Sequence, residues 1–368
     1  MILGDNPGCF AICSKEKSAR EADFSIFANT NRFYMKPSLY LIIIALFVSA
    51  CSSTKNLQRF NLAGEAQGTY FAITYYDEKG RDLQQDVDSL FKAVDQSVSL
   101  WDDQSLITRI NSGDTSVLLD SIFLANFLLS KEVSVLTDGY FDFTIGPLAQ
   151  AWGFHRKNKV DLRKDQVDSL RQLVNYRKVR LEGSRVVFEQ PGMRFDFNAV
   201  AQGYTVDLIG DMFDKLNIEH YLIDVGGEIF GRNQKPDGTK WRVGIEQPSK
   251  DANDERVIQV ILELENKGLA TSGSYRKYFE QDGKRFSHVI SPKTGYPVDH
   301  NLLSVTVLAQ NAAYADALAT AFLVMGLDES KVLLESIPDV EAFFIFWSTE
   351  HTYDTYSTKG MSEIIVKQ

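Results

Sequence analysis

From Gly68 the chain sets apolar against polar residues in "TYFAITYY", the period of a half-buried strand. The spacing then turns helical through "LQQDVDSLFKAVDQSVSLW" and again through "DSIFLANFLLSKEVSVLT". A polar stretch around residues 156–175 predicts an exposed helical excursion, and short strands are expected near 177–181, 186–189 and 194–197. "NAVAQGYTVDLIGDMFDKL" reads as an amphipathic helix feeding a strand in "HYLIDVGG". Strand-like runs recur at 241–246, 256–264, 286–290 and 302–309, followed by an Ala-rich helix, "AAYADALATAFLVMGL", and a late buried strand, "VEAFFIFW". Strands and helices mix without regular βαβ alternation. The expected fold is therefore α+β: a single large mixed domain with largely antiparallel sheets flanked by helices.

The N-terminal pattern differs. "MKPSLYLIIIALFVSACSS" (35–53) has a Lys, an apolar run and small residues before Cys51. About twelve apolar residues span roughly 18 Å as a helix, short of a hydrocarbon core of about 30 Å, so the stretch reads as a secretory signal. Val48-Ser49-Ala50-Cys51 resembles a bacterial lipobox, in which the Cys carries lipid. The expected organisation is a start-site extension or leader over 1–34, a lipoprotein signal peptide over 35–50, lipidated Cys51 with a polar tether over 51–62, and one domain over 63–368. The other cysteines, Cys9 and Cys13, precede that cleavage point. A mature chain so processed has no disulfide, no zinc–thiolate site and no cysteine nucleophile.

The 368 residues, 44% of them apolar, suffice for a sizeable core. A net charge of −10 argues against nucleic acid as a partner, because phosphate binding needs a basic face.

Several stretches could carry chemistry. In the Ala-rich helix Asp316 and Thr320 lie four apart, hence on one face, and a carboxylate among alanines is unfavourable if buried unpaired. Two oxygen ligands one turn apart suit a hard cation such as Mg²⁺; an Asp paired with a basic residue and an ordinary helix Thr is the alternative. "RFDFNAVAQGYTVD" predicts a strand ending in Asp196 and a helix beginning near Asn198. Its N-terminal amides would seat a pyrophosphate or merely be capped, and Gly203 would admit a close neighbour. Gly226-Gly227 fails as a dinucleotide fingerprint and reads as a tight turn or bulge. Tyr140, Phe141 and Phe143 are an aromatic wall or simply core. Thr271, Ser272 and Ser274 offer hydroxyls. His288, one of five histidines, precedes a turn punctuated by Pro292, Gly295 and Pro297. The standard hydrolase, zincin and triphosphatase motifs are absent.

Together "TDGYFDFTIGPL", "DFNAVAQGYTVD", "YLIDVGGEIFGR", "LATSGSYRKYF", "SHVISPKTGYPV" and "YADALATA", in that order behind a lipoprotein-like signal, resemble the ApbE-type FAD:protein FMN transferases. The resemblance runs from about Gly68 to the C-terminus and implies an ApbE-like, T-fold-related domain. It also implies Mg²⁺-dependent transfer of FMN from FAD onto a Thr or Ser hydroxyl of a partner protein through a phosphoester, with release of AMP. The implied metal donors are Asp316, Thr320 and the Ala199 carbonyl, and the implied FAD contacts are Trp101, Tyr140, Phe141, Asp142, Asp196, Gln202, Thr271, Ser272 and Ser287. His288, as general base, and Asp316 are the implied catalytic residues. The implied partners are flavin-accepting subunits of extracytoplasmic electron-transfer complexes, with the lipid anchoring the domain to a bacterial membrane on its periplasmic side. Gln67 departs from the family's usual Met, and Ser291 from its usual Asp or Asn. A Mg²⁺-dependent FAD pyrophosphatase and a lipid-anchored FAD store remain alternatives.

Overall fold

The computed structural model describes residues 56–153, 162–248, 257–274, 278–281, 284–287, 289–348 and 352–367, with the side chains of 278–281, 284–287 and 367 excepted. The expected signal peptide, Cys51 and His288 lie outside the described residues. One compact unit begins at Lys55.

The elements open with β1 (Gln58–Ala66), β2 (Thr69–Asp77), α1 (Gln84–Val98), α2 (Leu106–Asn111), α3 (Ser121–Leu136), α4 (Gly146–Ala151) and α5 (Lys164–Arg171). A second run holds β3 (Val179–Glu182), β4 (Arg185–Phe188), α6 (Ala201–Lys215), β5 (His220–Val225), β6 (Glu228–Arg232), β7 (Trp241–Glu246), β8 (Ile258–Leu264) and β9 (Lys267–Gly273). The remainder are β10 (Tyr278–Gln281), β11 (Lys284–Ser287), β12 (Leu302–Ala309), α7 (Ala312–Met325), α8 (Leu327–Leu334), β13 (Glu341–Trp347), β14 (Tyr353–Ser357), α9 (Lys359–Ile364) and β15 (Ile365–Lys367).

Eight strands make the main sheet in the order β1-β2-β5-β6-β9-β12-β13-β14, every neighbouring pair antiparallel. The α+β expectation holds. Two-residue turns set register at one end. Gln67 (φ 52°) and Gly68 (φ 73°) join β1 to β2, and Gly226 (φ 67°) and Gly227 (φ 109°) join β5 to β6; positive φ at both central positions matches the twist of a hairpin. Gly226-Gly227 is thus the tight turn.

Alternation then decides what each face buries. Phe71, Ile73 and Tyr75 of β2 and Tyr221, Ile223 and Val225 of β5 pack against Phe91 of α1 and Val206, Ile209 and Phe213 of α6. On the opposite face, Ile229, Leu269, Leu308, Phe343 and Ile345 meet Trp241, Val243, Val260 and Leu262 of a three-stranded sheet, β15-β8-β7. Helix α7 lies among α6, β9 and β12, with 11 of its 14 residues buried. Alanine suits a helix enclosed that closely, and this leaves Asp316 in the interior.

Four expectations are corrected. Residues 58–62, assigned to the tether, begin β1, whose exposed outer positions give it a polar composition. Residues 194–197 are not a strand: apart from one bridge between Ile145 and Arg194, their backbone is satisfied by other groups. Asn111 brackets Phe195, donating to its carbonyl at 2.9 Å and accepting from its N–H at 2.7 Å, while the Asp196 N–H donates to the Phe143 carbonyl. The helix expected from Asn198 starts at Ala201. The run expected at 286–290 is instead β11, paired with β10, and Ile290 makes only a bridge to Pro297.

Candidate functional site

The site is built where α6 crosses α7. Gly203 makes the crossing close: a Cβ there would sit 2.5 Å from the Ala312 carbonyl oxygen and 2.7 Å from Ala313 Cα. Gly203 is the third residue of α6, so its N–H has no acceptor inside the helix. Here it donates to Asp316 Oδ2 at 3.3 Å. The Ala199 carbonyl lies just ahead of α6, outside the helix ladder.

Asp316 is 6% exposed. Burial pushes its carboxyl well above the usual carboxylate range, with the Gly203 amide opposing and the neighbouring Asp207 carboxylate adding to the shift. Among the described residues no Lys or Arg pairs with it. One turn on, Thr320 Oγ1 lies 3.0 Å from Ser272 Oγ of β9. One carboxylate, one hydroxyl and one backbone carbonyl are hard oxygen donors, the set that Mg²⁺ accepts while keeping water or phosphate in its other positions. Among the described residues no group of three or more His, Cys, Asp or Glu gathers to hold a metal, so a search for clustered acidic ligands would pass over this mixed set.

The other expected residues fall in two groups. Gln202 lies at the start of α6, with Nε2 beside the Gly226 turn. Asp196 Oδ1 accepts from the Asn198 N–H at 2.9 Å and shapes the bend into the helix. Ser272 faces α7, whereas Thr271 points to the opposite face of the sheet, with Oγ1 2.8 Å from Thr306 Oγ1. Phe141 is core, 5% exposed. The Asp142 carboxylate is occupied internally: Oδ1 accepts from the Thr144 N–H and hydroxyl, and Oδ2 from the Tyr176 N–H. Its burial raises the carboxyl against those bonds. Tyr140 is half-buried under the Lys293 ammonium, 5.2 Å from the ring centroid, and Trp101 is 68% exposed on the loop between α1 and α2. Of Ser287 only the backbone, in β11, is described.

The strict turn beyond His288 is clamped. Trp152 Nε1 donates to the Gly295 carbonyl and Arg171 to the Lys293 carbonyl, each at 2.9 Å, and Lys293 also donates to the Asp138 carbonyl. Gly295 has φ 79°, and a Cβ would strike Val167. A cleft of about 250 Å³ opens elsewhere, on the face away from α7. It is lined by Tyr70, Asp224, Gly226, Arg242 and Thr271, among others. Of the expected FAD residues, Thr271 alone is among its described lining.

The family model described as the ApbE family matches residues 67–344. The chain belongs to the ApbE family. It is 32% identical to the FAD:protein FMN transferase of Vibrio cholerae over 306 residues, covering 81% of this chain and 90% of that one. It is also 32% identical to the FAD:protein FMN transferase of Escherichia coli K12 over 308 residues, covering 79% and 87%. The solved flavin transferase ApbE from Vibrio cholerae superposes with a TM-score of 0.75 at 29% identity, over 84% of this chain and 99% of that one. The apo flavinyl transferase ApbE of Pseudomonas stutzeri also gives 0.75, at 28% identity over 85% and 98%.

Within this ApbE-family chain, sequence reasoning missed Asp207, Gly268 and Asn311, which hold the start of α7. A signal existed for Asp207: it lies four residues beyond Gly203, hence on the same face of α6. Gln67, the departure from the family pattern, occupies the left-handed turn position; its Nε2 donates to Thr205 Oγ1 at 3.0 Å.

Proposed function

We propose that this chain transfers FMN from FAD onto a Thr or Ser hydroxyl of a partner protein, in a Mg²⁺-dependent reaction that releases AMP. What supports the reading is a buried Asp316 that accepts from the Gly203 N–H and is met by no Lys or Arg among the described residues, with the Thr320 hydroxyl one turn on; the Ala199 carbonyl ahead of α6 would be the third oxygen donor. When bound, Mg²⁺ would neutralise charge developing on the pyrophosphate.

The chemistry balances without a redox partner. The acceptor oxygen bonds to the phosphorus on the FMN side, the bond from that phosphorus to the bridging oxygen breaks, and AMP leaves with that oxygen. The acceptor proton passes to a base, for which the motif "SHVISPKTG" nominates His288; a neutral imidazole suits the task near pH 7. Asp316, held by the Gly203 amide and Thr320 by Ser272, would hold the cation at a fixed distance from α6. The exposed ring of Trp101 offers a stacking face for a flat base. Residues 35–51 support a periplasm-facing lipoprotein, tethered beside membrane-bound acceptors.

The test uses the soluble chain from Ser52 with FAD, Mg²⁺ and a candidate acceptor domain, followed by intact mass. The acceptor should gain one FMN-sized increment, lost when its Thr is replaced by Val or when Mg²⁺ is chelated. Free FMN and AMP with an unmodified acceptor would replace transfer by FAD hydrolysis.

A further inference from the structure

We infer that Asp207, which the proposed donor set does not include, is the positioning residue that sets how tightly the Asp316–Thr320 site binds its divalent cation. The inference rests on the proposed function, because it concerns the same site.

A helix leaves its first four N–H groups without partners inside it. In α7 these are the amides of residues 311–314, and the local cap handles one: Asn311 Oδ1 accepts from the Tyr314 N–H at 2.8 Å. Two more, those of Ala312 and Ala313, are satisfied from a different helix. Asp207 Oδ1 accepts from the Ala312 N–H and Oδ2 from the Ala313 N–H, both at 2.8 Å. A bidentate carboxylate of this kind fixes direction as well as distance.

The link is reciprocal. An amide of α6, at Gly203, holds the carboxylate of α7, at Asp316. One turn further along α6, a carboxylate holds the amides of α7. Glycines on two sides allow the approach, since a Cβ on either Gly203 or Gly268 of β9 would collide with backbone at Asn311–Ala313. The first residues of α7 are therefore gripped by α6 and β9 at backbone contact, with Asp207 fixing the register.

That register matters because the donors straddle it. The Ala199 carbonyl belongs to the α6 side, whereas Asp316 and Thr320 belong to α7. A shift of α7 along α6 alters the donor spacing directly, and Mg²⁺ tolerates little departure from octahedral geometry. An ordinary cap would stabilise α7 without determining that spacing. Asp207 does both because it is supplied by the helix next to the other donor.

Mn²⁺ titration of the metal-free chain, read by calorimetry, separates these roles. Asp207→Asn keeps one acceptor oxygen and turns an NH₂ towards the second N–H. It should weaken Mn²⁺ binding by about tenfold, the scale for supports behind metal ligands, with unchanged FAD binding in the absence of metal. At saturating Mg²⁺ its transfer rate should return to near the parent's. Asn311→Ala removes the local cap of α7 and leaves α6 untouched, so it should lower Tm but keep parent Mn²⁺ affinity. Asp207→Glu, which retains both acceptor oxygens at a longer reach, serves if the Asn variant does not fold and should also bind Mn²⁺ more weakly. Parent affinity in the Asp207 variants, or an equal loss in Asn311→Ala, would reduce Asp207 to a cap and overturn the inference alone. A parent chain that binds no Mn²⁺ would overturn the metal reading as well.

Discussion

Replacing Gly203 by alanine tests the crossing on which the candidate site depends. In most helices the change would gain about 1 kcal/mol, since glycine is that much the poorer helix former. Here the new methyl would lie 2.5 Å from the Ala312 oxygen, and 2.7 Å from both the Ala312 carbonyl carbon and Ala313 Cα. All three are backbone atoms, so no rotamer change relieves them. Reaching ordinary contact at about 3.5 Å requires α6 and α7 to part by about 1 Å. Overpacking of this kind costs about 1–3 kcal/mol. The same movement withdraws the Gly203 N–H from Asp316, leaving a buried acceptor without its donor at a further cost of about 1–3 kcal/mol. After the propensity gain the expected loss is about 3 kcal/mol, a fall of roughly 6 °C in Tm at the few degrees per kcal/mol of a large domain. Gly210→Ala is the internal control. It lies on the same helix, but the nearest atoms to its methyl would be those of the Tyr221 side chain, the hydroxyl at 3.2 Å, and none would be backbone, so stability should stay within about 1 kcal/mol of the parent. Thermal and urea unfolding of both variants decide the matter. A Gly203→Ala chain as stable as the parent would refute the close crossing.

Four more outcomes are expected. Thr320→Val, close in shape, leaves Ser272 Oγ without its partner; it should lower stability by about 1 kcal/mol and weaken Mn²⁺ binding, and an unchanged calorimetric titration would remove Thr320 from the donor set. His288→Ala should abolish transfer while FAD fluorescence quenching reports unchanged binding; transfer at the parent rate would remove the base assignment. Asp77 is held down to about 2 by the Arg81 guanidinium. A depressed carboxyl stabilises the fold above its unfolded value and loses that contribution as pH falls from about 4 to 2, worth about 2 kcal/mol; Asp77→Asn should flatten this part of the acid-unfolding curve, and a variant curve parallel to the parent's would refute it. Cys51→Ala in the full-length chain should abolish incorporation of labelled palmitate in cells, and persistent labelling would place the lipid elsewhere or nowhere.

The elements legible in the sequence are those whose faces are unequally buried. β2 alternates because one side meets α1 and α6, and α7 is recognisable from alanine because it is enclosed on nearly every side. Elements whose backbone partners come from side chains were illegible: "RFDFN" alternates like a strand, yet the groups closing its hydrogen bonds are the Asn111 amide and the Phe143 carbonyl. The same division runs through the site. Asp316 and Thr320 stood out because a carboxylate one turn from a hydroxyl is anomalous among alanines, an anomaly of local spacing. Ser272 meets Thr320 only through the packing of α7 on β9, and Asp207 meets Ala312 only through the crossing of α6 on α7, contacts over 48 and 105 positions respectively. Periodicity carries no information about such distances. What it does carry is the glycine that permits the crossing, and four residues beyond Gly203 on the same helical face stands Asp207. In this chain a glycine in the first turn of a helix, followed one turn later by a carboxylate, marks the place where a second helix begins and needs its first amides held. That second helix is the one that carries Asp316 and Thr320.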